Sequence, residues 1–130
     1  MGRIILLIED NEQNRYLATF LLEYRGYRVV SAVDGHQGIE MARTLVPDLV
    51  LLDIQLPTMD GYSVAEVLRE VESLRHKPII AVTSYAMAGD REKALAAGCT
   101  GYIEKPINPE TFVDGIEELA GFSNSNERST

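Results

Sequence analysis

The chain has 130 residues, of which 45% are hydrophobic and 25% charged, and its formal net charge is −8. Such a chain can form one globular domain with a real core, and its acidity excludes the basic surface that binds nucleic acid or anionic membranes. It has no apolar run that could span a bilayer and no N-terminal signal pattern. The single cysteine, Cys99, excludes an internal disulfide. We therefore expect a cytoplasmic protein that contacts neither nucleic acid nor membrane.

The first half of the chain predicts three strands and two helices. The strands are predicted over about 3–9, 27–32 and 48–53. The first helix has an apolar face at i, i+3, i+4, i+7 spacing, formed by Leu17, Phe20, Leu21 and Tyr24. Gly26 ends that helix, and a second helix is predicted from Gly35 to Leu45, closed by Pro47.

The second half predicts three more helices and two strands. The third helix has the apolar face Val64, Val67, Leu68 and Val71. Pro78 opens the fourth strand, and the fifth is predicted over about 100–104. Helix four carries Met87, Ala94 and Ala97 and ends at Gly98, which suits a left-handed C-cap. Helix five has Pro109 in its first turn and a buried face of Phe112, Ile116 and Leu119.

The strands are continuously apolar, which indicates burial on both faces and hence a parallel sheet covered by helices on both sides. Right-handed crossovers and short loops favour a doubly wound α/β fold. We assign 1–121 to one domain and 122–130 to a flexible polar tail, because the residues from Phe122 onward have no apolar period.

Polar residues follow four of the apolar strands. They are Glu9 and Asp10, Asp53, Thr83, and Lys105. Because the carboxyl ends of parallel strands share one edge of the sheet, we expect these side chains to form one pocket. Clustered carboxylates repel one another unless a cation lies among them, and oxygen ligands suit Mg²⁺, or Mn²⁺ in its place. A carboxylate can also attack phosphorus, while Lys105 offsets charge on the phosphoryl oxygens.

Each of these residues has a plainer interpretation when it is taken alone. Asp53 suits a turn cap at the end of a strand, and Asp10 suits the N-cap of the first helix. Thr83 is a common β-branched strand residue, and Lys105 suits a solvated surface position. The bond from Lys105 to Pro106 can be cis or trans, and the sequence leaves both isomers open.

In combination, these residues resemble the receiver domain of two-component response regulators. The resemblance spans about 3–120 and lies in four segments that follow in order: Glu9-Asp10-Asn11, Asp53 to Pro57 with Asp60-Gly61, Thr83 to Ala86, and Lys105-Pro106. It implies a flavodoxin-like (βα)5 fold with a five-stranded parallel sheet in the order 2-1-3-4-5.

The resemblance also implies a role for each residue of the pocket. Asp53 is the phosphoacceptor, and Thr83 and Lys105 contact the phosphoryl oxygens. Mg²⁺ is bound by Asp10, by Asp53 and by the backbone carbonyl of Gln55, while Glu9 acts through a metal-bound water.

In this family, further positions control the conformational switch and the lifetime of the phosphorylated state. Tyr102 is the aromatic switch residue, which moves inward when Thr83 is drawn to the phosphate. Gln55 and Tyr85 tune the lifetime of the phosphorylated state, and the bulk of Tyr85 predicts slow hydrolysis. The output surface is the face of helix four, strand five and helix five, with Arg91, Tyr102, Glu104 and the exposed side of 108–118.

We therefore predict a phosphorylation-activated signalling switch that receives its phosphoryl group from a histidine kinase or a histidine phosphotransfer protein. It acts by binding a downstream protein, as a monomer or as a phosphorylation-dependent dimer. It is a phosphoprotein that catalyses its own phosphorylation and dephosphorylation, without turnover of an external substrate. A receiver segment of a hybrid histidine kinase is an alternative.

Two alternatives belong to other functional classes. A Mg²⁺-dependent phosphatase that forms an aspartyl phosphate usually has a second Asp two residues after the nucleophile, where this chain has Gln55. A flavin-binding protein of the same fold needs a loop rich in Ser, Thr and Gly after strand one, where this chain has Asp10-Asn11-Glu12. Both alternatives fit the sequence less well than a receiver.

Overall fold

The computed structural model describes residues 2–84 and 89–122. The strands are β1 (Ile4–Ile8), β2 (Arg28–Ala32), β3 (Leu49–Asp53), β4 (Ile79–Thr83) and β5 (Gly101–Glu104). The α-helices are α1 (Glu12–Tyr24), α2 (Gly35–Leu45), α3 (Gly61–Glu70), α4 (Asp90–Ala96) and α5 (Phe112–Ala120), and a 3-10 turn at Glu72–Leu74 follows α3. None of the helices in these ranges combines the length and the apolar content that crossing a membrane requires.

The five strands form one parallel sheet in the order β2-β1-β3-β4-β5. This order confirms the predicted flavodoxin-like, doubly wound fold. The central strands β3 and β4 are buried along their whole length, whereas β2 lies at an edge and is partly exposed. The difference follows the sequence, since β3 and β4 are continuously apolar up to their last residue and β2 is not.

Alternate residues of each strand point to opposite faces of the sheet, so the protein has two apolar layers. On one face, Leu6, Ile8, Val50 and Leu52 pack with residues of α2, α3 and α4. On the other face, Ile5, Leu7, Leu49 and Leu51 pack with residues of α1 and α5. Both faces of the sheet are therefore covered, and the carboxyl ends of the strands are left as an open edge.

Side-chain caps start the helices that follow this edge. Asn11, Asp34 and Asp60 each accept a hydrogen bond from a backbone N–H three residues later, at the start of α1, α2 and α3. Gly26 and Gly98 have positive φ values of 104° and 106° just after α1 and α4. The predicted ends of those two helices are thus confirmed, and the predicted bounds of α2 agree with the structure.

The predicted apolar face of α1 is partly wrong. The helix packs on the sheet through Ala18 and Leu22, which are buried, whereas Phe20 and Tyr24 are 56% and 87% exposed. Phe20 and Tyr24 each lie two residues after one of these buried residues, which places them on the opposite side of an α-helix, away from the core. Together with Leu21 and Val113, they line a groove between α1 and α5.

Helix α5 and the boundary of the tail also differ from the sequence prediction. Leu119, predicted to be buried, is 37% exposed, and Pro109 lies in the turn before α5 rather than in its first turn. Phe122 packs on Tyr27 and beneath the guanidinium of Arg3, so this first residue of the predicted tail belongs to the packed domain. Residues 123–130 and Met87 lie outside the described residues.

Candidate functional site

Polar side chains from four neighbouring strands meet at the carboxyl edge of the sheet. Glu9 and Asp10 follow β1, Asp53 ends β3, Thr83 ends β4, and Lys105 follows β5. These four strands are adjacent in the sheet. The predicted pocket therefore forms because the topology places the ends of these strands side by side.

Asp53 lies at the bottom of this pocket and is 3% exposed. Its Oδ1 atom accepts a hydrogen bond from the backbone N–H of Gln55 at 3.0 Å and lies 3.5 Å from Nζ of Lys105. The same Nζ lies 3.0 Å from Oε1 of Glu9, which is also buried. One ammonium group therefore stands between two buried carboxylates.

Burial and, after it, the neighbouring charge of Glu9 raise the pKa of Asp53 to about 7. Lys105 and the N–H of Gln55 act in the opposite direction on this pKa and are outweighed. The single ammonium of Lys105 thus leaves negative charge in the pocket uncompensated. A site of this kind favours the binding of a cation.

The carboxylates of Glu9, Asp10 and Asp53 each offer an oxygen atom, and the three oxygens lie within 4.8 Å of one another. Glu9 and Asp53 are buried, while Asp10 is exposed and lies toward solvent. Hard oxygen donors that are partly open to water fit Mg²⁺, which retains several of its waters, and they fit Mn²⁺ as well. The donor set is thus suited to the predicted metal.

Gln55, two residues after Asp53, connects the end of β3 with the end of β4. Its side-chain amide donates a hydrogen bond to Oγ1 of Thr83, and its Oε1 accepts from the backbone N–H of Ser84 at 3.2 Å and from Oγ of Ser84 at 3.3 Å. The hydroxyl of Thr83, predicted to contact a phosphoryl oxygen, is thus held here by Gln55. The role of the Gln55 carbonyl as a metal ligand stays a prediction.

Tyr102 lies on β5, the strand next to β4 in the sheet. Its backbone pairs with Ala81, two residues before Thr83, and its side chain is half-buried against the core. Burial, together with the negative charges of Asp90 and Glu104, raises the pKa of its hydroxyl. Tyr102 therefore borders both the core and the start of α4, and its predicted role as a switch stays a prediction.

Two further features of the predicted site are the Lys105–Pro106 peptide bond and Tyr85. The Lys105–Pro106 peptide bond is cis. Tyr85 and Ala86 lie outside the described residues, so the predicted effect of Tyr85 on phosphate lifetime stays a prediction.

Gly61 shows why the loop after Asp53 needs a residue without a side chain. A Cβ atom at this position would lie 2.5 Å from Cα of Ile54 and 2.9 Å from the carbonyl oxygen of Asp53. The backbone N–H of Gly61 also donates to the carbonyl of Ile54 at 2.9 Å. The start of α3 therefore packs directly on the backbone of Asp53 and Ile54.

Sequence reasoning missed one side chain at this edge. Nη1 of Arg15 donates hydrogen bonds to the carbonyl oxygens of Glu9 at 2.9 Å and Asp10 at 3.3 Å. Our sequence reading gave Arg15 no role. A signal was present, since Arg15 is the fourth residue of α1 and a cation near a helix N-terminus opposes the helix dipole. An arginine in that place points to a specific contact.

Comparison with known proteins agrees with this geometry. The family model of the response regulator receiver domain matches residues 5–117. The chain is 41% identical over 121 residues to the polar-differentiation response regulator DivK of Brucella ovis. The aligned region covers 93% of this chain and 98% of DivK.

Solved structures give the same picture. The chemotaxis protein CheY4 of Vibrio cholerae matches with a TM-score of 0.88 at 25% identity. The match covers 92% of this chain and 99% of the CheY4 chain. The receiver domain of the sensor histidine kinase PA1611 from Pseudomonas aeruginosa has a TM-score of 0.84 at 38% identity. The match covers 93% of this chain and 99% of the PA1611 receiver chain. That structure has a magnesium ion coordinated in its active-site cleft. This chain is thus a member of the response regulator receiver domain family and part of two-component signalling.

Proposed function

We propose that this receiver is a phosphorylation-activated switch in which Asp53 accepts a phosphoryl group from a histidine kinase or a histidine phosphotransfer protein. The observation that carries the proposal is the position of the buried Asp53 carboxylate, 3.5 Å from Nζ of Lys105 and grouped with Glu9 and Asp10. A nucleophile, a cation for the phosphoryl oxygens and a set of metal ligands are thus side by side. Phosphoryl transfer requires these three elements.

In the proposed reaction, an oxygen of Asp53 attacks the phosphorus atom of a phosphohistidine. The new bond joins this oxygen to phosphorus, the bond from phosphorus to the imidazole nitrogen breaks, and the imidazole leaves with its electron pair and binds a proton. Lys105 offsets negative charge on the phosphoryl oxygens, and Thr83 donates a hydrogen bond to one of them. Transfer therefore relies on positioning and electrostatics.

Asp10, Asp53 and the carbonyl of Gln55 would hold Mg²⁺, with Glu9 acting through a water. When bound, the ion supplies positive charge that neutralises the phosphoryl oxygens and the carboxylates. The magnesium ion in the cleft of the PA1611 receiver supports this assignment. Mn²⁺ fits the same oxygen ligands.

Activation would shift Thr83 from Gln55 to the phosphoryl group and allow Tyr102 to move inward. The change would alter the surface formed by α4, β5 and α5, which we propose as the binding site of a downstream protein. Support for this route comes from the position of Tyr102, which borders the start of α4. Phosphorylation needs to bias two existing conformations by only a few kcal/mol.

The test uses beryllofluoride, which stands in for a phosphoryl group on an aspartate, together with Mg²⁺. Amide NMR shifts should change saturably around residues 53, 83 and 102–105 in the wild type and should not change in Asp53→Asn. Asp48→Asn, just before the other end of the same strand, is the matched control and should respond like the wild type. A normal response in Asp53→Asn, or no response in the wild type, would refute the proposal.

A receiver within a hybrid histidine kinase is the closest alternative, because the similarity to the PA1611 receiver is nearly as high as that to DivK. The switch chemistry is the same in both cases, and only the attached output differs. An immunoblot of the source cells distinguishes them, since a hybrid kinase gives a band far heavier than 14.4 kDa.

We also propose that the chain turns over no external substrate. A phosphatase of this type needs an acid two residues after the nucleophile. The side-chain amide of Gln55 has no titratable proton to act as that acid, and it forms hydrogen bonds with Thr83 and Ser84. Release of phosphate from small phosphate esters, at a rate abolished in Asp53→Asn, would contradict this proposal.

A further inference from the structure

The turn that carries Glu9 and Asp10 is held by contacts on several of its atoms. The N–H of Glu9 donates to the carbonyl of Ala32 at 3.0 Å, and the N–H of Asn11 donates to Oε2 of Glu9 at 3.2 Å. Asn11 in turn caps α1 by accepting from the N–H of Asn14 at 2.8 Å. These bonds orient the amide groups of the turn and leave its carbonyl groups to other donors.

Arg15 contacts those carbonyl groups from the first turns of α1. A single nitrogen, Nη1, donates to the carbonyl oxygens of both Glu9 and Asp10, and the side chain is half-buried. Two successive peptide groups are thereby tied to one rigid, planar guanidinium group. Rotation of either peptide group would break one of the two bonds and would also move the attached carboxylate.

We propose that Arg15 is a positioning residue for the metal site, which fixes the Glu9–Asp10 turn so that both carboxylates stay beside Asp53. The inference rests on the proposed function, because it concerns the ion that the same carboxylates would bind. Arg15 acts through the backbone and contacts neither the ion nor the phosphoryl group. Groups that orient metal ligands from behind typically change metal affinity by about 10-fold to 100-fold.

The charge of Arg15 and its positioning role have opposite effects on the affinity for Mg²⁺. A positive charge near the site repels a cation, so its removal alone would tighten Mg²⁺ binding. Loss of positioning would weaken binding instead. Lysine keeps the charge but lacks the planar guanidinium group, and glutamine removes the charge, so the two substitutions separate the effects.

The experiment measures the affinity for Mg²⁺ alone, by amide NMR shifts or calorimetry, in wild type, Arg15→Lys and Arg15→Gln. We expect both variants to bind Mg²⁺ about tenfold more weakly. Arg43→Lys and Arg43→Gln are matched controls in the last turn of α2, where Arg43 pairs with exposed Glu40, and they should bind like the wild type.

Four outcomes would overturn the inference. Wild-type affinity in Arg15→Lys together with tighter binding in Arg15→Gln would show that only charge matters. Wild-type affinity in both variants, even with a lower melting temperature, would show a merely structural role. If the wild type does not bind Mg²⁺, or Asp53→Asn binds it equally well, the proposed metal site fails too. Should Arg15→Gln not fold, the affinity of Arg15→Lys decides.

Discussion

At the scale of single residues, the site depends on the cost of burying Asp53. Its carboxylate is 3% exposed, lies close to Glu9 and has one ammonium group, Lys105, within 3.5 Å. A charge in such a place destabilises the folded protein unless a cation joins it. The burial that would prepare Asp53 for the proposed phosphoryl transfer therefore lowers the stability of the metal-free protein.

This cost predicts a dependence of stability on pH. The pKa of Asp53 is raised from 3.8 to about 7 on folding, chiefly by burial. Between these values the folded protein holds a proton that the unfolded chain has released, so the free energy of unfolding should fall as pH rises from about 4 to about 7. Asp53→Asn should lack this fall and be more stable than the wild type at pH 8, by roughly 2 to 4 kcal/mol.

Urea unfolding at pH 5 to 8 in the presence of EDTA measures this difference. Lys105 retains Glu9 as a partner in Asp53→Asn, so the substitution leaves no buried ammonium alone. The control variant Asp48→Asn, just before the other end of β3, should retain the pH dependence of the wild type. Equal stability of Asp53→Asn and wild type at pH 8 would contradict the predicted cost.

At the scale of secondary-structure elements, the contact between α3 and the loop after β3 holds Asp53 in place. Asp60 caps α3, and Gly61 brings the start of that helix against the backbone of Asp53 and Ile54. Arg69, near the other end of α3, donates to the carbonyl oxygens of Gly98, Leu74 and Lys77. The helix is thus fixed at both ends.

Gly61→Ala should therefore destabilise the protein and disturb the site. The added methyl group would lie 2.5 Å and 2.9 Å from backbone atoms, which cannot move aside as a flexible side chain can. We expect a loss of about 1–3 kcal/mol in the free energy of unfolding, measured by urea, and weaker Mg²⁺ binding.

Gly115→Ala is the matched control for this prediction. A Cβ at Gly115, inside α5, has no neighbouring atom within 4 Å. This variant should be neutral or more stable by up to about 1 kcal/mol, since alanine favours a helix over glycine. If Gly61→Ala behaved like Gly115→Ala, close packing of α3 on the Asp53 backbone would be refuted.

At the scale of the whole molecule, a polar network joins residues that are about 90 positions apart in the sequence. Buried Glu117 of α5 accepts hydrogen bonds from Nη1 of Arg25 at 2.8 Å and from the hydroxyl of Tyr27 at 2.5 Å. Burial first, and then Glu117, raises the pKa of Tyr27 above its ordinary value. The network fastens α5 to the segment between α1 and β2.

Glu117→Gln should weaken this connection. Glutamine carries no negative charge and has one acceptor oxygen instead of two, so it cannot accept the bonds from Arg25 and Tyr27 as the carboxylate does. Arg25 is 29% exposed and keeps Asp114 as a second partner, so we expect a moderate loss of about 1–3 kcal/mol. Thermal or urea unfolding measures it, with exposed Glu118→Gln as the control. Equal stability of the two variants would show that the network contributes nothing.

The sequence by itself determined the parallel sheet and the place of the site. Continuous apolar runs require burial on both faces, and the polar residues that end them must then share one edge, so Glu9, Asp10, Asp53, Thr83 and Lys105 could be grouped without coordinates. These inferences rest on local patterns and on a topology that few alternatives satisfy.

Only the tertiary structure decided how the elements are rotated and which distant groups meet. Helix α1 packs on the sheet through the side that carries Ala18 and Leu22, so the apolar spacing of Phe20 and Tyr24 was misleading. The contacts of Arg15 with the acidic turn, of Gln55 with Thr83, and of Glu117 with Arg25 and Tyr27 depend on side-chain direction. Such directions are set by three-dimensional packing, which a pattern along the chain does not contain.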